Sequence, residues 1–575
     1  MKQYMYKKTK ELFRFVVYIL LPLVGGGGVG VSCSDMLETG SDLVEYEKDN
    51  TLNHATDSVY SVLGILNKMQ LIADRSVLLG EVRGDLMTTT VAASADLKRL
   101  SAFDFAAPNK YNNVSDYYAV INNCNYYIAH ADTAMQRRGR RLFIQEYAVV
   151  KTYRAWTYLQ LVTAYGRVPL VTEPLMTEKE ARDAVNGEYT DITGVCNFLI
   201  DDLTPLVGVE LPNFGTINNF NSQLFFIPMR ALLGDLCLWA GRYEEAAKWY
   251  HEYLTWQDDP HPMNSSRSTW PSATEMTYPS SNYTVRNTSE VLSFIPMEER
   301  VFDGVVSDLP NIFNSTREKN YYYQLEPSKG MRNLSAAQIY CFENRTDVSR
   351  DTLYAPKIGL MEELLAGDLR LYSNYKLNSS GGKDEFSEDN PYRQTISKIW
   401  TDRVPTSRLT MIYLRYAEAL NRLGLPQSAM VVLKYGVCQD YIQEYVDTIE
   451  QAKAGDLITF DRQVFRQAQA MGIHSRGCGD TNANAYYVLP QPASELATRQ
   501  DTVNYQIPLV EDMIIDEMAL EGAFEGYRYY DLLRVALRRG DPAYLANPVS
   551  RRNGEVDEPL RALLMDTKNW FLPLP

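Results

Sequence analysis

Histidine is scarce in this chain, with five among 575 residues, none at ligand spacing from another. Cysteine is sparse as well. Beyond Cys33, the six cysteines (Cys124, Cys196, Cys237, Cys341, Cys438 and Cys478) form no CxxC pair, so metal binding by them is not expected. HExxH, GxSxG and P-loop patterns are absent, which removes the best-marked routes to metalloprotease, serine-hydrolase and nucleotide chemistry. No cofactor and no catalytic residue is therefore expected. A hydrolase stays open as a second reading only because 72 acidic residues could pair anywhere, and carboxylate separation cannot be read from a sequence.

Excess positive charge is also lacking. The net charge is −15, and the first 32 residues carry Lys2, Lys7, Lys8, Lys10 and Arg14 against Glu11; without that net +4 the rest stands at −19. Such a field repels phosphate backbones, so nucleic acid is not an expected partner. The N-terminal apolar run, Phe15 to Val24, is 10 residues long. A helix needs about 20 residues to cross a bilayer core of roughly 30 Å, so this run is a targeting segment and stays out of the fold. Small residues follow, and Ser32 precedes Cys33. That arrangement resembles a bacterial lipoprotein signal with Cys33 as the acylated residue, although Gly30 stands where such signals usually carry Leu. An ordinary secretory signal, with Cys33 incidental, is the alternative. Gly25, Gly27 and Gly30 spell GxGxxG with no strand before and no helix after, so the match carries no meaning.

Tyrosine is abundant instead: 40 residues, against 19 Phe and 7 Trp. An apolar ring with a polar tip suits half-exposed contact surfaces. Helical periodicity is clearest at Leu224 to Leu254. Leu233, Cys237 and Ala240 share one face, as do Ala246, Trp249, Tyr250 and Tyr253, with Gly241 at the turn between the two runs. The spacing Leu233-Gly234, Cys237, Ala246, Tyr250 fits the tetratricopeptide pattern, in which small residues mark a close helix crossing. A second copy, Tyr413 to Gly436, places Gly424 on Gly241, Ala417 on Gly234, Ala429 on Ala246 and Leu433 on Tyr250. Two ordinary helical hairpins would satisfy the same pattern.

Along the chain, residues 33–50 read as an acidic tether, and the first folded helix as starting near Asn53. Arg83 to Thr90 reads as a polar loop, with helices resuming at Asp116 to Met135 and Arg140 to Tyr165. Between Thr255 and Pro405 the helical rhythm breaks into Ser-, Asn-, Thr- and Tyr-rich sequence, whose aromatics argue against simple disorder. His474 stands beside Ser475 and Asp480, but without a nucleophile-elbow pattern it reads as structural.

Two further stretches carry a resemblance. Tyr153 to Leu175, YRAWTYLQLVTAYGRVPLVTEPL, joins an Arg-Ala helix to a Tyr-Gly turn and a Val-Pro-Leu-Val segment. Asp512 to Gly540 contains Phe524, Glu525, Gly526, Arg528, Tyr530, Asp531, Leu532 and Arg534 in the order Phe-Glu-Gly-x-Arg, aromatic, Asp-Leu, Arg. Both look like signatures of the SusD/RagB family of outer-membrane nutrient-binding lipoproteins, as does the NWFLPLP ending; Glu517 and Met518 depart from it where relatives usually carry basic residues. Within this motif Arg528 is expected to pair with Glu525 or Asp531.

The resemblance implies a mainly α fold: a tetratricopeptide-like scaffold at about 51–254 and 406–575, a loop-rich ligand-side region at about 255–405, and few short strands, all in one domain spanning 51–575. Residues 1–32 would be the signal peptide. It further implies a lipid-anchored, outward-facing outer-membrane protein that binds an oligosaccharide or peptide and delivers it to a TonB-dependent, SusC-like transporter. A repeat scaffold that binds only protein partners is a third reading. Candidate ligand contacts are Trp270, Tyr278, Tyr283, Tyr322 and Trp400 as stacking groups, with Arg83 and Asp85 as polar groups.

Overall fold

In the computed structural model, residues 55–263, 290–297, 305–314, 324–345, 350–355, 367–377, 394–396, 398–400 and 402–574 are described. The targeting segment, the tether and Cys33 lie outside them, as do Trp270, Tyr278, Tyr283 and Tyr322.

The first helix, α1 (Ala55–Arg83), is 29 residues long. The apolar stripe continues past Leu66 through Met69, Ile72, Ala73, Val77, Leu78 and Val82, all buried, so the helix reaches Arg83. The expected polar loop after it is partly a strand. Strand β1 (Met87–Thr89) pairs antiparallel with Leu325–Pro327, a partner more than two hundred positions away that local sequence does not reveal.

Helices α2 (Ser115–His130) and α3 (Ile144–Tyr165) follow. Their facing ends are shorter than expected because a hairpin intervenes, Gln136–Arg137 against Arg140–Arg141. Arg138 and Gly139 at its tip both have positive φ, 54° and 76°, as the favoured two-residue hairpin turn requires. After α3 the chain turns at Gly166 into a short strand, Arg167–Pro169, paired with Tyr189–Asp191. Asp191 caps the next helix, α4 (Ile192–Leu203), by accepting the Gly194 N–H at 2.8 Å.

The central repeat is α5 (Met229–Ala240) and α6 (Tyr243–Leu254), turned at Gly241 with φ 77°. A Cβ on Gly234 would stand 2.4 Å from the Tyr250 ring, so the small residue is set by an aromatic side chain packed across the pair. The second copy forms α7 (Leu409–Arg422) and α8 (Pro426–Met430), continued by a π-helical turn, Val431–Tyr435. Ala417, Ala429 and Leu433 are all fully buried. Two long C-terminal elements complete the scaffold, α9 (Arg499–Gly522) and α10 (Arg528–Arg539). Helices α2 to α7 pack each on the next, α9 packs on α7, α1 packs on α2 and α3, and α10 packs on α1 and α9. The result is a mainly helical stack in which neighbours share one continuous core.

Strands are short and occur in two-stranded antiparallel pairs among the described residues. Three of them belong to the middle of the chain: Val291–Pro296 pairs with β2 (Arg403–Arg408) through a register shift at Pro405 and Ser407, Tyr340–Arg345 pairs with Arg350–Ala355, and Tyr375–Leu377 pairs with Gln394–Ile396.

Buried charge fastens this middle region to α9. Glu521 receives Arg408 Nη1 at 2.6 Å, Arg370 Nη1 at 3.0 Å and Arg476 Nε at 3.6 Å. Glu517 binds Arg370 at 2.5 Å and His474 Nδ1 at 2.8 Å, while Glu290 binds Arg476 at 2.9 Å. His474 is buried and lies flat on Tyr487, ring centroids 3.7 Å apart. It is a packing residue, and Ser475 beside it is buried too.

Candidate functional site

A cleft of about 80 Å³ opens on the scaffold where α1, α3, α5, α7, β2 and α10 meet. Each helix contributes residues at helical spacing: Trp156, Gln160 and Thr163 from α3, Asp235 and Trp239 from α5, and Tyr530, Asp531 and Arg534 from α10, with Arg415 from α7. The link between α9 and α10 adds Glu525, Gly526 and Tyr527, so the C-terminal motif is part of the wall.

The charged groups of the cleft are paired before any ligand arrives. Arg415 Nη1 donates to Asp235 at 2.7 Å, and its guanidinium lies 5.0 Å from the centre of the Tyr527 ring. Asp235 also accepts the Tyr250 hydroxyl at 2.6 Å. Arg534 binds both oxygens of Glu418, at 3.1 and 2.6 Å, and Asp531 Oδ1 at 2.9 Å, beside the Trp239 ring. Glu525 is held by Lys398 at 2.6 Å and Arg408 at 2.8 Å. Burial pushes the Asp531 carboxyl above its ordinary range, against the opposing pull of Arg534 and Arg415. Trp239, Tyr527 and Tyr530 are therefore half-buried in a wall of fixed donors and acceptors with both arginines neutralised, while Trp156 is buried. Such a surface suits a neutral, hydroxyl-bearing ligand better than an anion.

A smaller niche of about 20 Å³ adjoins the cleft, with which it shares Pro405 and Glu525. Trp400 lines it, half-buried, with the Arg403 guanidinium 5.7 Å from its ring and 4.5 Å from that of Phe220. Of the expected stacking groups, Trp400 is the one within the described residues.

Arg83 and Asp85 do not line the cleft, and both are buried against protein partners. Arg83 is fully buried, 4.1 Å over the Tyr529 ring, and donates to the Leu79 and Trp570 carbonyls and the Tyr530 hydroxyl. Asp85 accepts Arg528 in a bidentate pair at 2.6 and 2.9 Å. Arg528 thus pairs with a residue just past the end of α1, and not with Glu525 or Asp531 as the sequence led us to expect. The sequence reading missed Trp156, Trp239, Asp235 and Arg415 because they sit in helices read as core. The available signal was Trp239, directly before Ala240 and Gly241, where the repeat pattern has no place for a large inward-facing ring.

Beneath the cleft, the buried Glu81 on α1 accepts the Gly526 N–H at 2.8 Å. Desolvation, reinforced by Glu525, raises its pKa from 4.5 to about 7. The folded protein therefore holds a proton that the unfolded chain releases as pH rises above 4.5. Stability falls through this window, and the loss is complete above about pH 7, at roughly 3 kcal/mol. Glu81→Gln is expected to flatten the dependence by that amount. Urea denaturation of both proteins at pH 5 and pH 8 checks it: parallel curves at the two pH values would show that Glu81 does not titrate there.

Comparison with known proteins follows the architecture. The helix row with a strand-bearing segment laid against it defines a repeat-type scaffold, and this one has the SusD-like fold. A SusD superfamily protein from Bacteroides vulgatus ATCC 8482 superposes with TM-score 0.56 over 91% of this chain and 96% of its own, at 12% identity. A SusD homolog from Bacteroides thetaiotaomicron VPI-5482 gives 0.52 over 88% and 90%, at 15% identity. A SusD-like carbohydrate binding protein from Bacteroides fragilis NCTC 9343 gives 0.51 over 85% and 88%, also at 15% identity. No family model matches the chain, and no curated protein matches it in sequence.

Proposed function

We propose that this protein is a carbohydrate-binding protein that takes a neutral oligosaccharide in the cleft between α3, α5, α7 and α10. The carrying observation is the juxtaposition of half-buried Trp239, Tyr527 and Tyr530 with arginines already paired to carboxylates. Sugar rings stack on such faces, and their hydroxyls meet fixed donors and acceptors. One structural neighbour is named as a SusD-like carbohydrate binding protein, which supports the reading. The ligand leaves uncleaved and passes to a TonB-dependent, SusC-like transporter. Acylation at Cys33 holds the protein on the outer face of the outer membrane, where tethering raises the effective ligand concentration beside the channel.

Calorimetric titration of the detergent-solubilised full chain against neutral hexasaccharides and, separately, hexapeptides tests this, with each ligand checked afterwards for cleavage. Saturable binding of an intact saccharide is the expected result. Trp239→Ala is expected to weaken it about tenfold, near 1.4 kcal/mol, with a melting midpoint close to wild type. Peptide binding alone would replace the ligand class, and cleavage would replace the function. A Cys33→Ala protein that still partitions with membranes as wild type does would remove the anchor.

A further inference from the structure

Arg137, Arg138, Arg140 and Arg141 stand together on the hairpin between α2 and α3, all of them exposed. No acidic residue occurs within 133–145, and the chain as a whole carries −15. Exposed arginines elsewhere still meet carboxylates, as Arg182 does Glu178 and Arg462 does Asp440. Among the described residues none of these four is paired with one. Local structure opposes the arrangement as well. Arg137 and Arg140 are direct cross-strand partners, so their Cβ atoms stand about 5 Å apart on one face, where like charges repel. Arg138 occupies the first turn position at φ 54°, a place that favours Asn, Asp or Gly. Four positive charges that neither turn preference nor a neighbouring group supports indicate an anionic partner outside the chain.

Shape narrows the partner. Residues 136–141 are exposed without interruption and line neither the cleft nor the niche, so they form a projecting tip and not the concave site that encloses a small ligand. An extended anionic plane meets all four charges at once. Between Cys33 and Ala55 lie 21 residues, a span of at most about 70 Å. An acyl anchor therefore limits distance from the bilayer and leaves orientation open. A body of net charge −15 is repelled by anionic headgroups, and the four arginines reverse that locally. We propose that the hairpin 136–141 contacts the anionic, phosphate-bearing headgroups of the bilayer that carries the Cys33 anchor, and so orients the protein on it. Trp156 on the cleft wall stands about 18 Å further along α3 than Ile144, by helix rise, so contact at the hairpin leaves the cleft clear. This rests on the acylation reading above.

The test is flotation of the full chain with vesicles of phosphatidylcholine alone, and of phosphatidylcholine with about 30% phosphatidylglycerol, in roughly 20 mM and roughly 500 mM salt. At low salt the wild type is expected to partition at least about tenfold more strongly onto the anionic vesicles, and to lose that preference at high salt. Replacing all four arginines with glutamine (R137Q/R138Q/R140Q/R141Q) is expected to abolish the preference. The melting midpoint is expected to hold, because the side chains are exposed. Four lysines in the same places keep the charge and are expected to keep the preference. Binding to the neutral vesicles reads the anchor separately: a Cys33→Ala protein that binds them as wild type does would overturn the acylation reading. An anionic preference retained by the glutamine variant would overturn the hairpin contact and leave the anchor standing. No anionic preference in the wild type would overturn it as well, with an acidic protein face as the partner instead.

Discussion

Glu521→Ala is expected to destabilise the protein by about 3–5 kcal/mol, the range for breaking a buried ion pair from one side. The reason is the ratio of charges around one carboxylate. Arg370, Arg408 and Arg476 converge on Glu521, all of them fully or almost fully buried. Lys398, also buried, donates to the Glu521 backbone carbonyl. These cations hold the Glu521 carboxyl well below the ordinary range although burial alone would raise it. Removing it leaves positive charge without water and with Glu290, Glu517, Asp368 and Glu525 as the remaining counter-ions. The exposed i,i+4 pair Arg182–Glu178 provides the contrast: Glu178→Ala is expected to match wild type, because solvent screens it. Urea denaturation followed by circular dichroism measures both. A Glu521→Ala protein within about 1 kcal/mol of wild type would mean that water enters the cluster or that the neighbouring acids take over.

The same cluster shows where sequence reasoning succeeds and where it stops. The repeats are legible because their determinants lie within one helical pair: Gly241 and Gly424 turn at φ 77° and 75°, and Gly234 meets Tyr250 sixteen positions on. The signature helix is legible as a helix for the same reason. Its partners are not. Glu521 is answered by residues 45 to 151 positions away, and Arg528 by Asp85, 443 positions away. A charged residue in a sequence carries no mark of which distant opposite charge it meets, so nearby Glu525 and Asp531 looked like the partners of Arg528. The cleft is obscured in the same way. Trp156 and Trp239 lie in periodic helices, where a large ring reads as core, and only the meeting of α3, α5, α7 and α10 around one cleft brings them to its wall.

Gly80→Ala is expected to destabilise by about 3 kcal/mol or more, at the severe end of overpacking. A Cβ on Gly80 would lie 1.7 Å from the carbonyl oxygen of Gly526 and 2.5 Å from its carbonyl carbon. Both are backbone atoms, so no side-chain rotation relieves the clash. Gly526 cannot retreat cheaply: it has φ 91°, and a Cβ there would meet the Ser76 carbonyl at 2.5 Å. Helix α1 and the Phe-Glu-Gly segment thus touch backbone to backbone, locked by the Glu81 bond to the Gly526 N–H and flanked by the Arg528–Asp85 pair. Gly64 in the same helix is the control, because a methyl group there would have nothing within 4 Å. At that position alanine is expected to stabilise by about 0.5–1 kcal/mol through helix propensity alone. Opposite signs from the same substitution in one helix would separate contact from propensity, and a Gly80→Ala protein as stable as Gly64→Ala would refute the close approach. The effect also reaches the ligand. Tyr527 and Tyr530 follow Gly526 closely in the cleft wall, so pushing the segment off α1 displaces them, and saccharide affinity is expected to fall together with stability in Gly80→Ala but not in Gly64→Ala.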